Sequence, residues 1–125
     1  MMRRIFAVFL IALSAAVAFA AASASHWYRI PARDHARNNP LADQQEAIAA
    51  GALVFREHCQ QCHQANAQGD GRKRPSLRST EIRTASDGDL EWFLRQGDLR
   101  HGMPSWSSLP QAQRWQLIAY LRSIQ

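Results

Sequence analysis

Apolar residues recur at helical spacing in three stretches of this chain, at about residues 43–58, 87–96 and 110–124. In each stretch the apolar positions fall on one broad face, as in a helix that packs against a core. No window of the sequence alternates apolar and polar residues as a half-buried strand does. The pattern therefore predicts an all-α fold with three main helices.

Residues at the ends of these stretches support the helix boundaries. Asp43 is the expected N-cap of the first helix, with Glu46 three residues later as in a capping box. The second helix is expected to begin at Ser86 or Asp87 and to end at Gly97. Pro110 is expected in the first turn of the third helix.

The segments that join the helices, residues 64–86 and 97–109, are long, contain Gly and Pro, and carry few apolar residues. Loops of this length are uncommon in a compact domain unless something orders them. We therefore expect a large group other than the polypeptide to fill part of the core.

The first 24 residues differ in composition from the rest of the chain. A positive start, MMRR, precedes the apolar run 5–22, and small residues follow it. This is the pattern of a secretory signal peptide, with cleavage expected after Ala24 or Ala20. The alternative is an uncleaved membrane anchor, because 18 residues is near the lower limit for crossing a bilayer. We expect an exported, periplasmic protein, held at the membrane only if the leader stays uncleaved.

The remaining chain divides into an N-terminal extension, residues 25–42, and one domain, residues 43–125. The whole chain has a net charge of +5, but without Arg3 and Arg4 of the leader it has 13 basic and 10 acidic residues, or +3. This charge is too small to indicate nucleic-acid binding. The basic run Arg72-Lys73-Arg74 lies on an expected loop, as a solvated segment or as a docking patch for an acidic partner.

Both cysteines of the chain lie in one motif, Cys59-Gln-Gln-Cys62-His63. Cys-x-x-Cys-His is the spacing of a covalent haem attachment. Two thiols at this spacing can reach two vinyl groups on one side of the macrocycle, and the next residue can turn its imidazole onto the iron. Cys59 and Cys62 are the expected thioether anchors of one haem c, and His63 is an expected axial ligand of the iron.

Three other uses of the motif stay open. A thioredoxin-like redox pair uses Cys-x-x-Cys, but within a βαβ pattern that this sequence lacks. A zinc site needs four ligands and would have to recruit His58 or His101 beside His63. A structural disulfide suits an exported protein, yet it would leave the long loops without a core.

Met103 is the expected ligand on the other face of the iron. It is the one methionine outside the leader, and it lies between Gly102 and Pro104, which favour a stiff turn that presents the thioether. A packing methionine is the alternative, and His101 is the rival ligand. The other histidines are expected to face solvent or to be structural: His26, His35 and His58.

From about residue 43 to residue 125 the chain resembles the class I cytochromes c, the small single-haem electron carriers of bacteria and mitochondria. Five features occur in the order of that family: Gly51 with Phe55, the attachment motif, Pro75 with Leu77, Met103 in GMPSW, and LIAYL at 117–121. The resemblance implies the cytochrome c fold, in which three main helices and loops wrap around one covalently bound haem.

The resemblance also implies roles for individual residues. Gly51 and Phe55 should pack across Leu117 and Tyr120 where the first and last helices cross. The carbonyl of Pro75 should accept a hydrogen bond from His63 and fix its ring. Trp106 should line the haem pocket, and Trp92 should either line it too or be an ordinary core aromatic.

An iron with protein ligands on both faces has no open site for a substrate, so the expected function is electron transfer. Segments such as DGDLEWFLRQGDLRHGMPSW resemble small bacterial cytochromes that serve exported dehydrogenases or terminal oxidases. The expected partners are an exported dehydrogenase, a bc1-type complex or a terminal oxidase, with the protein as a free shuttle or a subunit. The alternative is a haem enzyme or sensor in which Met103 dissociates from the iron.

Overall fold

A computed structural model describes residues 29–125, so the predicted leader and His26 lie outside the described range. Within this range the chain forms six α-helices and no strand, which confirms the all-α prediction. The helices are α1 (Ala32–His35), α2 (Gln45–His58), α3 (Gln60–His63), α4 (Thr80–Thr84), α5 (Asp87–Gln96) and α6 (Gln111–Ser123). None of the helices in residues 29–125 is long and apolar enough to cross a membrane.

Helix α5 has the boundaries that its capping residues predict. Ser86 Oγ accepts a hydrogen bond from the Asp89 backbone N–H at 3.0 Å, and Asp89 Oδ2 accepts one from the Ser86 N–H at 2.8 Å. This reciprocal pair satisfies two N–H groups that have no partner inside the helix. At the other end Gly97 has φ +68°, a left-handed conformation that ends the helix.

The predicted cap of α2 was wrong. The helix begins at Gln45 after Gln44, which contributes no capping side-chain hydrogen bond. The preceding residues form a turn, in which the Gln44 N–H donates to the Leu41 carbonyl at 3.2 Å. Asp43 is part of this turn and cannot act as the N-cap. Similarly, Pro110 lies just before α6 as its N-cap and not inside its first turn.

Helices α2 and α6 cross at Gly51, as the resemblance implies. A Cβ atom at Gly51 would lie 1.9 Å from the carbonyl oxygen of Gln116 and 2.9 Å from Tyr120 Cβ. Only glycine allows the two helices to approach this closely. One turn further on, the rings of Phe55 and Tyr120 pack with their centroids 5.4 Å apart. This crossing and the fully buried Leu117 form the centre of the core.

The N-terminal extension contains the short helix α1. It packs closely on α5, because a Cβ atom at Gly88 would lie 1.9 Å from the carbonyl oxygen of Asp34. His35 Nδ1 lies 2.8 Å from Asp89 Oδ1, and Ser86 Oγ donates to the His35 carbonyl at 2.8 Å. The described part of the extension therefore packs against the helical domain.

Candidate haem site

The attachment motif forms a single helical turn directly after α2. Cys59 ends α2, with its N–H donating to the Phe55 carbonyl at 2.8 Å, and α3 begins at the next residue. The N–H groups of Cys62 and His63 both donate to the Cys59 carbonyl, at 3.1 and 2.9 Å. Residues three and four apart lie on the same face of a helix. The turn therefore places Cys59, Cys62 and His63 together.

The imidazole of His63 is held by the loop that follows it. His63 Nδ1 lies 3.0 Å from the carbonyl oxygen of Pro75, the partner that the resemblance implies. When Nδ1 donates to this carbonyl, Nε2 is the unprotonated nitrogen and is available to a metal. Gly69 makes this contact possible, because a Cβ atom there would lie 2.0 Å from the Arg74 carbonyl oxygen, just before Pro75.

Met103 is fixed through its backbone on the other loop. The Met103 N–H donates to the Asp98 carbonyl at 2.9 Å, and the Asp98 N–H donates to the Met103 carbonyl at 2.8 Å. The turn between them contains Gly102 at φ +82°. Gly97 permits the return of the chain, because a Cβ atom there would lie 2.6 Å from the backbone of Pro104. Glycines at both ends of this short loop thus set the position of Met103.

These two loops border one cavity of about 520 Å³. Six predicted site residues line it, namely Cys59, Cys62, His63, Pro75, Met103 and Trp106. The apolar part of the remaining wall comes from the loop before α4 and from α4, α5 and α6: Leu77, Ile82, Leu90, Phe93, Leu94, Leu117 and Leu121. This is the volume and lining of a site for a large apolar ligand.

The family model described as cytochrome c oxidase, cbb3-type, subunit III matches residues 46–121, more than half of the chain. The chain belongs to this cytochrome c family. Membership brings with it covalently bound haem c and haem-based electron transfer, the work of an electron carrier and not of a typical enzyme. Searches of curated proteins and of solved structures found no significant match.

The residues around the cavity of this cytochrome c domain fit a haem. Two thiols and an imidazole share one helical turn, a thioether lines the same cavity, and the wall between them is apolar. An imidazole with a thioether is one of the ligand pairs by which proteins hold haem iron. The donor set thus suits an iron porphyrin that is attached through Cys59 and Cys62.

The three other uses of the motif find little support in the fold. The motif forms a helical turn directly after α2 and does not lie at a strand-to-helix junction. Burial, together with the neighbouring Cys62, raises the pKa of the Cys59 thiol to about 12. A redox-active Cys-x-x-Cys pair has the opposite property, a lowered pKa. Among residues 29–125 no group of three or more His, Cys, Asp or Glu side chains could hold a metal ion such as zinc. Cys59 and Cys62 are both free thiols, with no disulfide between them.

The other candidate residues lie in different surroundings. His101 borders the cavity, but its side chain is 77% exposed and its Nδ1 lies 2.7 Å from Asp98 Oδ2. His58 also borders the cavity, and its ring packs on Trp106 with centroids 5.2 Å apart. Trp92 is partly buried and is not among the residues that line the cavity. Of these two tryptophans, only Trp106 lies at the site.

Sequence reasoning missed two parts of the cavity wall. The spacing of Leu90, Phe93 and Leu94 predicted the buried face of α5 but not that this face meets the cavity. The basic run 72–74 also borders the cavity, whereas the sequence predicted a solvated loop or a docking patch and did not place it at the site. Asp70 orders that loop by accepting hydrogen bonds from the backbone N–H groups of residues 72, 73 and 74, at 2.8, 3.0 and 2.9 Å.

Proposed function

We propose that this cytochrome c domain carries one electron at a time on a haem c ligated by His63 and Met103, between exported redox partners. The observation that supports this most is that the Cys59–His63 turn and Met103 line the same cavity, although they are far apart in the sequence. When bound, the haem supplies a one-electron couple between ferric and ferrous iron.

Residues around the haem are expected to set its reduction potential and to shield it from water. The Pro75 carbonyl fixes the orientation of the His63 ring and makes the imidazole a stronger donor. A thioether from Met103 favours the ferrous state relative to a second imidazole, and the apolar wall excludes water, which acts in the same direction. If His63 and Met103 both ligate the iron, no coordination position is left open for a substrate. We therefore expect a positive reduction potential and no substrate turnover.

Haem attachment provides the first test. The full chain, expressed with a c-type cytochrome maturation system, should retain its haem on a denaturing gel, because thioether bonds survive denaturation. Cys59→Ser or Cys62→Ser should lower the yield of attached haem sharply. Haem that is lost from the parent protein on denaturation would contradict the covalent attachment.

The partner is proposed to be a membrane oxidase complex or an exported dehydrogenase. The matched family is described as a subunit of a cytochrome c oxidase, which supports the oxidase. The protein should copurify from native membranes with oxidase subunits if it is a subunit, and should be recovered from the periplasm if it is a shuttle. Recovery from the cytoplasm with an intact leader would contradict export.

The basic run at the cavity mouth is proposed to dock an acidic surface of the partner. Arg72 and Lys73 are exposed there, and they border the same cavity as Met103. Exposed charges steer association, and salt screens them. The variant Arg72→Gln/Lys73→Gln should slow electron transfer to the partner at low salt, and the rate should depend less on salt.

A matched control removes the same charge elsewhere. Arg33 and Arg56 are exposed and do not border the cavity, so Arg33→Gln/Arg56→Gln should leave the rate close to that of the parent. Equal slowing by both double variants would show that net charge matters and not this surface.

A further inference from the structure

The carboxylate of Glu91, in the middle of α5, is fully buried and is surrounded by three arginines. Its Oε2 accepts hydrogen bonds from Arg37 at 2.7 Å and from Arg95 at 2.8 Å, and its Oε1 accepts one from Arg114 at 2.9 Å. A buried charge is tolerated when it is paired and fully hydrogen-bonded, as it is here. Sequence and family resemblance assign no role to this cluster.

Arg114 connects the cluster to the loop that carries Met103. Its Nε donates to Glu91, while its Nη1 donates to the carbonyl oxygens of Trp106 at 3.5 Å, Ser107 at 3.4 Å and Leu109. The guanidinium is planar and rigid, so fixing one edge on a carboxylate also fixes the other edge. The Arg114 side chain is only 7% exposed, which protects these hydrogen bonds from water.

The same loop is attached to the end of α5. The Trp106 N–H donates to the Leu94 carbonyl at 2.8 Å, and Ser105 Oγ donates to the Arg95 carbonyl at 2.5 Å. Met103 lies only two residues before Ser105. A movement of the loop backbone that takes Met103 away from the cavity would therefore strain the contacts that Arg114 and α5 make with residues 105–109.

The N-terminal extension completes the cluster. Arg37 reaches Glu91 and also lies over the ring of Trp115, 5.0 Å from its centroid. Asp34 pairs with Arg95 at 2.5 Å. Both Arg37 and Asp34 precede the range 46–121 that matches the family model. The cluster is thus a feature of this chain that extends beyond the matched domain.

We propose that Glu91 and Arg114 are positioning residues for the Met103 ligand, and that Arg37 of the N-terminal extension supports them. Glu91 orients Arg114, Arg114 holds the loop 103–109 by its carbonyls, and the loop keeps the thioether on the iron. Charge-assisted hydrogen bonds of this kind are stronger than neutral ones, so their loss should favour loop opening. This inference rests on the proposed role of Met103 as the sixth ligand.

Imidazole competition measures loop opening directly. Added imidazole binds the ferric iron only when Met103 leaves, so a looser loop gives tighter apparent binding. In Arg114→Met, Glu91 keeps Arg37 and Arg95 as partners, which favours folding of the variant. We expect imidazole to bind this variant about tenfold more tightly than the parent, an opening equilibrium shifted by about 1.4 kcal/mol. Glu91→Gln should act in the same direction, and Arg37→Gln should have a smaller effect.

A control separates positioning from general loss of stability. Val54 is buried in α2 and does not line the cavity, so Val54→Ala should lower the free energy of unfolding and leave imidazole affinity unchanged. Parent-like imidazole affinity in both Arg114→Met and Glu91→Gln would overturn the proposal. An equally large increase in affinity in Val54→Ala would also overturn it.

Amide hydrogen exchange distinguishes failure of this inference from failure of the ligand assignment. A Met ligand gives ferric haem a weak sulfur-to-iron charge-transfer band in its far-red absorption spectrum. Absence of this band from the parent protein would refute Met103 as ligand, yet exchange at the N–H groups of Met103 and Trp106 would still report on the loop. Both should exchange faster in Arg114→Met than in the parent. Unchanged exchange at these amides would show that Arg114 does not hold the loop, whatever the iron ligand is.

Discussion

The crossing of α2 and α6 at Gly51 yields a quantitative prediction for Gly51→Ala. The added Cβ would lie 1.9 Å from the carbonyl oxygen of Gln116, 2.5 Å from its carbonyl carbon and 2.9 Å from Tyr120 Cβ. Ordinary contacts begin at 3.4 Å, so the helices must move apart by about 1.5 Å in this direction. Two of the three obstructing atoms are backbone and cannot rotate away. Relief therefore has to come from separation of the helices.

The expected cost follows from two opposing terms. Overpacking typically costs about 1–3 kcal/mol, and the backbone obstruction places this site at the upper end. Alanine is favoured over glycine within a helix by about 1 kcal/mol, which offsets part of that cost. We expect Gly51→Ala to lower the free energy of unfolding by about 2 kcal/mol. For a domain of this size that corresponds to a melting temperature lower by about 10 °C.

Equilibrium denaturation of the haem-loaded protein, followed by far-UV circular dichroism, measures this loss. Gly71→Ala is the control, because Gly71 has φ +68° but a Cβ atom added there would meet no other atom within 4 Å. It should cost only about 1 kcal/mol, for the left-handed backbone conformation. A Gly51→Ala protein as stable as the parent, or more stable, would refute the close helix crossing.

Three further predictions concern the loops and the attachment site. Gly97→Ala should weaken Met103 ligation, because the added Cβ would collide with the Pro104 backbone, and imidazole should then bind more tightly. Gly102→Ala should have a smaller effect, because its Cβ would meet only the Arg74 side chain, at 3.5 Å. Hydrogen bonds from the backbone N–H groups of residues 74 and 72 lower the pKa of Asp70 below its ordinary value. The stability that the Asp70 carboxylate contributes should therefore be present above about pH 4 and be lost as the pH falls through the lowered pKa. Asp70→Asn should remove that acid-dependent part of the stability, measured by denaturation at several pH values. A double variant, Cys59→Ser with Cys62→Ser, should leave haem extractable by acid acetone, whereas retained haem would contradict thioether attachment.

The sequence predicted the parts of the structure that depend on local pattern. Helix α5 was predicted with correct ends, because Ser86 and Gly97 are capping residues in the chain itself. The start of α2 was missed, because the turn that places Asp43 outside the helix depends on contacts of Asn39 and Leu41. Helices of four or five residues, such as α1 and α4, are too short to show a periodicity.

The cluster around Glu91 could not be predicted from the sequence. Two of its three pairs with arginine join residues 54 and 23 positions apart, and the local pair with Arg95 does not mark Glu91 as a buried residue of α5. The candidate site was easier to predict from the sequence, because haem attachment itself requires the spacing of Cys59, Cys62 and His63. Met103 was inferred because it is the one methionine outside the leader and stands between Gly102 and Pro104. The structure places Gly102 in the turn that joins Asp98 to Met103, and Pro104 follows that turn.

The far-red absorption spectrum of the ferric protein, recorded together with its reduction potential, tests the proposed ligation most directly. If Met103 binds the iron, the parent has a weak sulfur-to-iron charge-transfer band, and Met103→Ala loses the band and has a lower potential. Met103→His should keep a low-spin iron and also have a lower potential, which separates loss of sulfur from loss of a ligand. A Met103→Ala protein that keeps both the band and the parent potential would contradict the proposed function.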